Sequence, residues 1–134
     1  MLKFSKIIEG IDLKKRFLAL TLALPLLLNA GDLIVKSGAL SVDDTIAKIE
    51  KIVNSKEGLG VFTIIDHKKG AEKAKMELSD TKVILFGNPK LGTKLMQSDP
   101  LVALDLPMRV LVYSENNETK IVYRDPKKWS ENFK

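Results

Sequence analysis

The sequence predicts an α+β domain in which one mainly antiparallel sheet carries helices packed on one face. Two observations favour this class: short β-rich segments alternate with helical segments in the order β-α-β-α-β-α-β-β-α, and two consecutive strands near the C-terminus form a hairpin. A third is length, because 134 residues minus a removable N-terminal segment suffice for one modest core. We therefore expect a signal peptide over residues 1–30 and a single small domain over residues 31–134.

The N-terminal segment has the pattern of an export signal. Basic residues 14–16 precede a mostly apolar run over residues 17–28, which is followed by Asn29, Ala30 and a glycine. A permanent membrane anchor is less favoured, because a spanning helix needs about 20 apolar residues and this run is shorter and contains Pro25. We expect cleavage near Ala30 and a periplasmic protein that meets the membrane only through its export signal.

The first half of the mature chain predicts a strand, a helix and a second strand. Residues 32–38 are β-rich, and Ser41 with Asp44 resembles the capping box that opens a helix. Apolar residues then recur at helical spacing, at Val42, Ile46, Ile49 and Val53. This helix is expected to end near Gly58 and to be followed by a strand over residues 60–65.

The middle of the chain predicts a short helix, a third strand and a glycine-rich loop. Asp66 is placed to cap a brief helix, and residues 81–86 form the third strand. Residues 87–92 are expected to be loop because of their Gly, Asn and Pro, and residues 93–97 to form one or two helical turns.

The C-terminal third predicts a hairpin and a closing helix. After an irregular link over residues 100–107, strands over 108–113 and 119–123 flank a turn in which Asn supplies the positive φ. Asp125 then caps a helix that has Pro126 at its first position.

Composition excludes several classes of site. The chain has no Cys and one His, so disulfide frameworks, thiolate zinc sites, iron–sulfur clusters and multi-histidine metal centres are excluded. The signal peptide carries five of the basic and two of the acidic residues, which leaves the mature chain close to neutral. No basic stripe with interleaved aromatics remains, so we expect no nucleic-acid partner. We also expect no cofactor and no metal.

Asp66 and His67 are the first candidates for chemistry. They end a strand, where a carboxylate and the sole imidazole could enter a pocket, and His is the common general base at neutral pH. The alternative is that Asp66 caps a helix and His67 is a solvated first-turn residue. Asp105 is a further candidate carboxylate, although nothing in the sequence places it opposite another acid.

The second candidate site is the segment from Gly87 to Thr93, because a strand ends there in two glycines, an Asn and a Thr at a helix start. Such a turn can direct backbone N–H groups toward an anion. The Gly-Lys-Thr order of a phosphate-binding loop is absent, so nucleotide hydrolysis is not indicated. The alternative is a turn whose glycines satisfy positive φ. Met96 could in principle join His67 in binding haem or copper, but no haem-attachment motif accompanies them.

Several motifs, in order, resemble the domain of unknown function 302 family. They are Ser41-Val-Asp-Asp-Thr, Phe62 with Ile65-Asp66-His67, Phe86-Gly-Asn-Pro-Lys, Gly92-Thr93 with Leu95-Met-Gln, Leu104-Asp-Leu-Pro and Tyr123-Arg-Asp-Pro. The resemblance covers residues 32–134 and implies a small α+β domain that forms dimers and has no established activity. Some members are exported, and some are fused to other modules, including cytochromes. By position, the signature residues are Asp66, His67, Gly87, Asn88, Pro89, Gly92, Thr93, Met96, Asp105 and Pro107.

Two classes of function follow from these observations. The first is a periplasmic, non-enzymatic binding or accessory domain that is homodimeric and takes a small anionic ligand or a protein partner. Its ligand-binding residues would be Gly87, Asn88, Gly92, Thr93 and Met96, at a site where this loop meets Asp66 and His67. The second is a hydrolase or other acid–base enzyme that uses His67 with Asp66 or Asp105.

Overall fold

The computed structural model describes residues 32–131, which contain one five-stranded sheet with helices. The strands are β1 (Leu33–Gly38), β2 (Gly60–Asp66), β3 (Thr81–Gly87), β4 (Met108–Glu115) and β5 (Glu118–Arg124). The helices are α1 (Val42–Asn54), α2 (His67–Lys73), α3 (Pro89–Ser98) and α4 (Pro126–Glu131), with a 3-10 helix at Pro100–Leu104.

The sheet has the order β1-β5-β4-β3-β2, and each neighbouring pair of strands is antiparallel. The hairpin between β4 and β5 turns at Asn116 and Asn117, which have φ of 51° and 62°, as the sequence predicted. A bulge between Val61 and Thr63 interrupts the register of β2, which is an edge strand. The predicted α+β class and element order are confirmed.

α1 packs on one face of the sheet and forms the core with it. The Ser41 Oγ accepts a hydrogen bond from the Asp44 N–H at 3.1 Å, so the predicted cap opens this helix. Fully buried side chains from the helix and from three strands meet there: Ile49, Val53, Ile84, Val110, Val112 and Ile121. Burying each of these aliphatic side chains stabilises the fold by about 1.5–3 kcal/mol.

The opposite face of the sheet has an apolar row that crosses all five strands. The register aligns these five residues side by side: Val35, Val122, Leu111, Val83 and Ile65. Val122 on β5 is buried, whereas Val35 and Ile65, at the two ends of the row, are 54% and 42% exposed. We call this surface the open face, and it also carries the exposed side chains of Leu33 and Phe62.

α1 ends at Asn54 and not near Gly58, and two further boundaries differ from the sequence-based expectation. The segment 87–92 was expected to be loop with a helix beginning at Thr93, and this is wrong: α3 begins at Pro89. The link after Pro100 contains a 3-10 helix rather than irregular chain, capped by the Asp99 side chain, which accepts the Leu101 N–H at 3.0 Å. In both places an Asx residue followed by Pro starts a helix.

The described part of the chain contains no helix long and apolar enough to cross a membrane. The expected export signal over residues 1–30 lies outside the residues that the structure describes.

Candidate functional site

Asp66 lies where β2 ends and α2 begins, and its carboxylate has two structural contacts. One oxygen accepts the N–H of Lys69 at 3.0 Å, which caps α2. The other lies 3.3 Å from the Nζ of Lys82 on β3. Lys82 in turn lies 2.6 Å from a carboxylate oxygen of Asp43 on α1, so the three charges join α1, β2 and β3 at one end of the sheet.

The electrostatics of this end keep its groups charged. The pKa of Asp66 lies below its ordinary value, first because the Lys69 N–H donates to the carboxylate and also because Lys82 is close. The pKa of Lys82 is raised, first by its hydrogen bond to Asp43 and then by the one to Asp66. A general base that works near neutral pH has a raised carboxyl pKa, so this carboxylate is tuned in the opposite direction.

His67 is the first residue of α2, and its side chain is exposed. This geometry matches the simpler interpretation of the Asp66-His67 pair, in which the Asp caps the helix and the His is solvated in its first turn. The two residues adjoin in the chain, but the Asp66 carboxylate is directed to the Lys69 N–H and to Lys82.

The segment from Gly87 to Gly92 is built as a helix start. The Asn88 side chain accepts the Leu91 N–H at 3.1 Å, and its carbonyl accepts the Gly92 N–H at 2.8 Å. Pro89 has no N–H, so the first turn of α3 keeps few donors for an anion. Thr93 and Met96 lie further along the helix with exposed side chains, and Thr93 is not its cap.

Packing explains the glycine at position 87, whereas neither packing nor backbone conformation requires a glycine at position 92. The expected positive φ is wrong for Gly87 and Gly92, because among the described glycines only Gly58 has one, at 76°. A Cβ at Gly87 would lie 3.3 Å from the Phe62 ring, and a Cβ at Gly92 would lie 3.6 Å from Leu106. Gly58 packs against the capping side chain of Asn88.

The structure does not bring the predicted site residues together. Asp66 pairs with Lys82 near the start of β3, whereas Gly87 ends the same strand, about 17 Å away along it. The hypothesis that Asp66 and His67 converge with the 87–93 segment is therefore wrong. These two groups of residues lie at opposite ends of the sheet.

Asp105 lies at the same end of the sheet as Gly87. It ends the 3-10 helix, and the preceding carbonyl of Leu104 accepts a hydrogen bond from the Arg109 guanidinium at 3.1 Å. Arg109 stands beside Leu85 near the start of β4, far from the Asp66 end. A dyad of His67 with Asp105 is therefore contradicted by the register.

Two features were missed at the level of sequence. The contacts of Lys82 with Asp66 and Asp43 depend on strand pairing, and no sequence motif indicates them. The open face has a detectable signal, because β1 alternates Leu33, Val35 and Ser37 on one side with Ile34, Lys36 and Gly38 on the other, and both sides are partly apolar.

Within residues 32–131, no cluster of three or more His, Asp and Glu side chains is placed to hold a metal ion.

The fold and these residues define a small α+β domain built on one antiparallel sheet with an open apolar face. The family described as domain of unknown function DUF302 matches residues 33–134, and the chain belongs to this family. A crystal structure of an uncharacterized conserved protein DUF302 from Bacillus stearothermophilus has the same fold. It superimposes with a TM-score of 0.67 at 21% identity, covering 77% of this chain and 80% of that chain.

Part of the chain is also similar to curated proteins. It is 42% identical over 77 residues to the protein named fluoride-specific ion channel FluC 1 of Brucella suis biovar 1, which covers 58% of this chain and 30% of that protein. The protein named fluoride-specific ion channel FluC 2 of Brucella melitensis biotype 1 matches at the same identity, over 28% of its length. This chain thus matches less than a third of the length of these relatives.

Proposed function

We propose that this protein is an exported, non-enzymatic accessory domain that acts as a homodimer through its open face. The carrying observation is the apolar row across that face, with Val35 and Ile65 exposed at its two ends. Soluble monomers rarely leave a contiguous apolar surface of this kind to water, and such a surface marks a contact with another molecule.

A second copy is the occupant that fits this face best. Two sheets pack face to face about 10 Å apart through interdigitated aliphatic side chains, which is what the row of Val, Leu and Ile side chains offers. A two-fold dimer places the same surface on both sides of the contact, so an apolar face meets an apolar face. Two of the basic side chains near it are paired with carboxylates within the chain, Arg124 with Asp32 and Lys120 with Glu118.

The accessory role is supported by the curated relatives. In them, a segment similar to this chain makes up 28–30% of a protein named as an ion channel. A domain that occurs beside another functional unit in one chain is more consistent with a supporting role than with an independent enzymatic activity. The fluoride channel activity belongs to those proteins, and for this chain we propose only a role beside a membrane partner.

The geometry favours this function over the acid–base alternative. His67 and Asp105 lie at opposite ends of the sheet, and the carboxylate of Asp66 is engaged by the Lys69 N–H and by Lys82. The Gly87 to Thr93 segment likewise gives little support to a small anionic ligand, because Asn88 accepts two of the N–H groups in the first turn of α3.

Sedimentation velocity of the purified protein tests the dimer. We expect a dimer at micromolar concentration, and we expect Val35→Lys and Ile65→Lys to shift it to monomer, because each buries a charge in the contact. Met76→Lys is the matched control, since Met76 is an exposed apolar side chain after α2 and outside the open face. A wild-type monomer, or equal dissociation by the control, would contradict the proposal.

Intact mass of the protein from a periplasmic fraction tests export. We expect a chain that begins at or near Gly31, because the signal pattern ends at Ala30. A soluble cytoplasmic protein that retains Met1 would contradict this part of the proposal without affecting the dimer.

A further inference from the structure

We propose that Asn117 is a site of N-linked glycosylation, which receives an oligosaccharide when the chain is exported. Asn117, Glu118 and Thr119 form the acceptor motif Asn-x-Ser/Thr, in which x is any residue except Pro. The other Asn residues of the sequence lack a Ser or Thr two positions later, so the motif occurs once. The inference rests on the proposed export of the chain, because this motif is modified in exported proteins.

The motif lies at the tip of the hairpin between β4 and β5. Asn116 and Asn117 form the two-residue turn, and both residues are exposed. Glu115 and Glu118 are the last pair of the ladder on either side of this turn, so Asn117 lies beyond the end of the sheet. A glycan is bulky and hydrophilic, and it requires a surface position of this kind.

The conformation of the turn does not by itself require Asn at position 117. The two central residues have φ of 51° and 62°, as in a type I′ turn. Gly is the favoured residue at the second of these positions, because it adopts positive φ without steric cost. Asn117 instead presents a primary amide there. Asn116 meets the same backbone demand outside the acceptor motif, so the two neighbours form a matched pair.

The position of Thr119 indicates when the sugar is attached. Thr119 is only 8% exposed, and it pairs with Ser114 on β4 and with Gly38 on β1. A transferase that recognises the third residue of the motif needs access to it, and the folded sheet covers this residue. Transfer therefore precedes closure of the sheet, while the chain emerges from the plasma membrane. After folding, Asn117 remains at the exposed tip, where an attached sugar disturbs no packing.

The reaction is a group transfer from a lipid-pyrophosphate-linked oligosaccharide. The Nδ2 atom of Asn117 forms a bond to C1 of the first sugar, and the bond between that carbon and the pyrophosphate oxygen breaks. The lipid pyrophosphate leaves with the electron pair, and one of the two Nδ2 protons passes to a base of the transferase. The side chain keeps one N–H, and no oxidant or reductant is consumed.

The glycan and the dimer contact occupy different parts of the sheet. Val122 belongs to the apolar row of the open face and lies five residues from Asn117, about 17 Å along β5. One molecule can therefore carry the sugar and form the proposed dimer. Sedimentation measures the dimer independently of the modification.

Peptide mass spectrometry of the protein from a periplasmic fraction tests the site. The full chain is produced in a bacterium that supplies a lipid-linked oligosaccharide and a transferase that requires an acidic residue two positions before the acceptor Asn. Glu115 occupies that position. Trypsin releases the peptide 110–120, because Arg109 precedes it and Lys120 ends it. We expect this peptide to carry the oligosaccharide on Asn117.

Four variants identify the acceptor. Asn117→Gln and Thr119→Val should lose the modified peptide, whereas Thr119→Ser should keep it, because Ser also satisfies the motif. Asn116→Gln is the matched control, since it makes the same substitution at the other turn residue with positive φ, and it should remain modified. The readout is a peptide, so it does not require each variant to fold.

Two outcomes would overturn the proposal: an unmodified peptide 110–120 in the exported wild type, and an oligosaccharide that persists in Asn117→Gln. The same measurement on residues 31–134 behind an export signal of established function separates this site from the proposed export. If only that form reaches the periplasm and is modified, the acceptor site stands and the native signal fails. If that form reaches the periplasm unmodified, the acceptor site is wrong whatever the native signal does.

Discussion

Asp66 and Lys82 face each other across β2 and β3, with the Lys82 Nζ 3.3 Å from one Asp66 carboxylate oxygen. The same ammonium lies 2.6 Å from the carboxylate of Asp43 at the start of α1. The side chains of Asp66 and Lys82 are largely covered. Together with Asp43, they connect α1 to the sheet at this end. The role of Asp66 that the structure supports is to fix α2 and this corner of the fold.

The first prediction concerns acid stability. A carboxyl with a lower pKa in the folded than in the unfolded state stabilises the fold above the unfolded pKa, and this contribution is lost as pH falls through the folded pKa. The pKa of Asp66 is lowered in this way. We therefore expect the urea concentration at the unfolding midpoint of the wild type to decrease when the pH is lowered below about 4. Asp66→Asn should flatten that fall.

The Asn and Ala variants of Asp66 separate its two contacts. Asn keeps an oxygen that can cap α2 but loses the charge, whereas Ala loses both. At neutral pH we expect the melting temperature to fall in the order wild type, Asp66→Asn, Asp66→Ala. If Asp66→Asn kept the full acid dependence of the wild type, the lowered pKa of Asp66 would not be the source of that dependence.

The sequence predicted the helices and strands better than the contacts between them. Short β-rich runs placed β2 and β3 to within one residue of their observed ends, and the capping box placed the start of α1. The start of α3 was missed because Gly, Asn and Pro are loop residues by composition. Asn88 followed by Pro89 is also a helix start, and only the following turns decide between the two.

The candidate site failed for a different reason. Asp66 and Gly87 are both at ends of strands, and the sequence does not say whether two ends lie on the same side of a sheet. The antiparallel register of β2 with β3 sends them to opposite sides. The contact of Lys82 with Asp43 has the same origin, since it depends on how α1 crosses the sheet.

The second prediction separates Asn88 from Thr93. Asn88 caps α3, so Asn88→Ala should lower the free energy of unfolding by about 0.5–2 kcal/mol, and Asn88→Asp should retain most of it. Thr93 is exposed within the helix, so Thr93→Val should change stability by less than about 0.5 kcal/mol. Chemical denaturation of the four proteins measures this. Equal losses for Asn88→Ala and Thr93→Val would contradict the assigned helix start.

The third prediction compares two glycines. Gly58 has a φ of 76°, and a Cβ there would lie 2.7 Å from the Asn88 Nδ2, so Gly58→Ala should cost about 1 kcal/mol or more. Gly92 lies inside α3, where a Cβ would make an ordinary contact with Leu106 at 3.6 Å. Gly92→Ala should therefore stabilise the protein by up to about 1 kcal/mol, the difference in helix propensity. If the melting temperatures of both variants were lower than that of the wild type, the site of Gly92 would not accommodate a side chain.

The last prediction concerns Thr45, whose hydroxyl is fully buried under α1 without a partner in the described part of the chain. Val has nearly the same shape and a similar helix propensity, so Thr45→Val removes the unpaired hydroxyl with little other change. We expect the free energy of unfolding to rise by about 1 kcal/mol, and the melting temperature by about 4 °C. Thr45→Ala is the control, because it also deletes a buried methyl group and should lose the gain. Measured destabilisation of Thr45→Val would mean that the hydroxyl is hydrogen-bonded in solution, and a water molecule bound beneath the first turns of α1 would then be its partner.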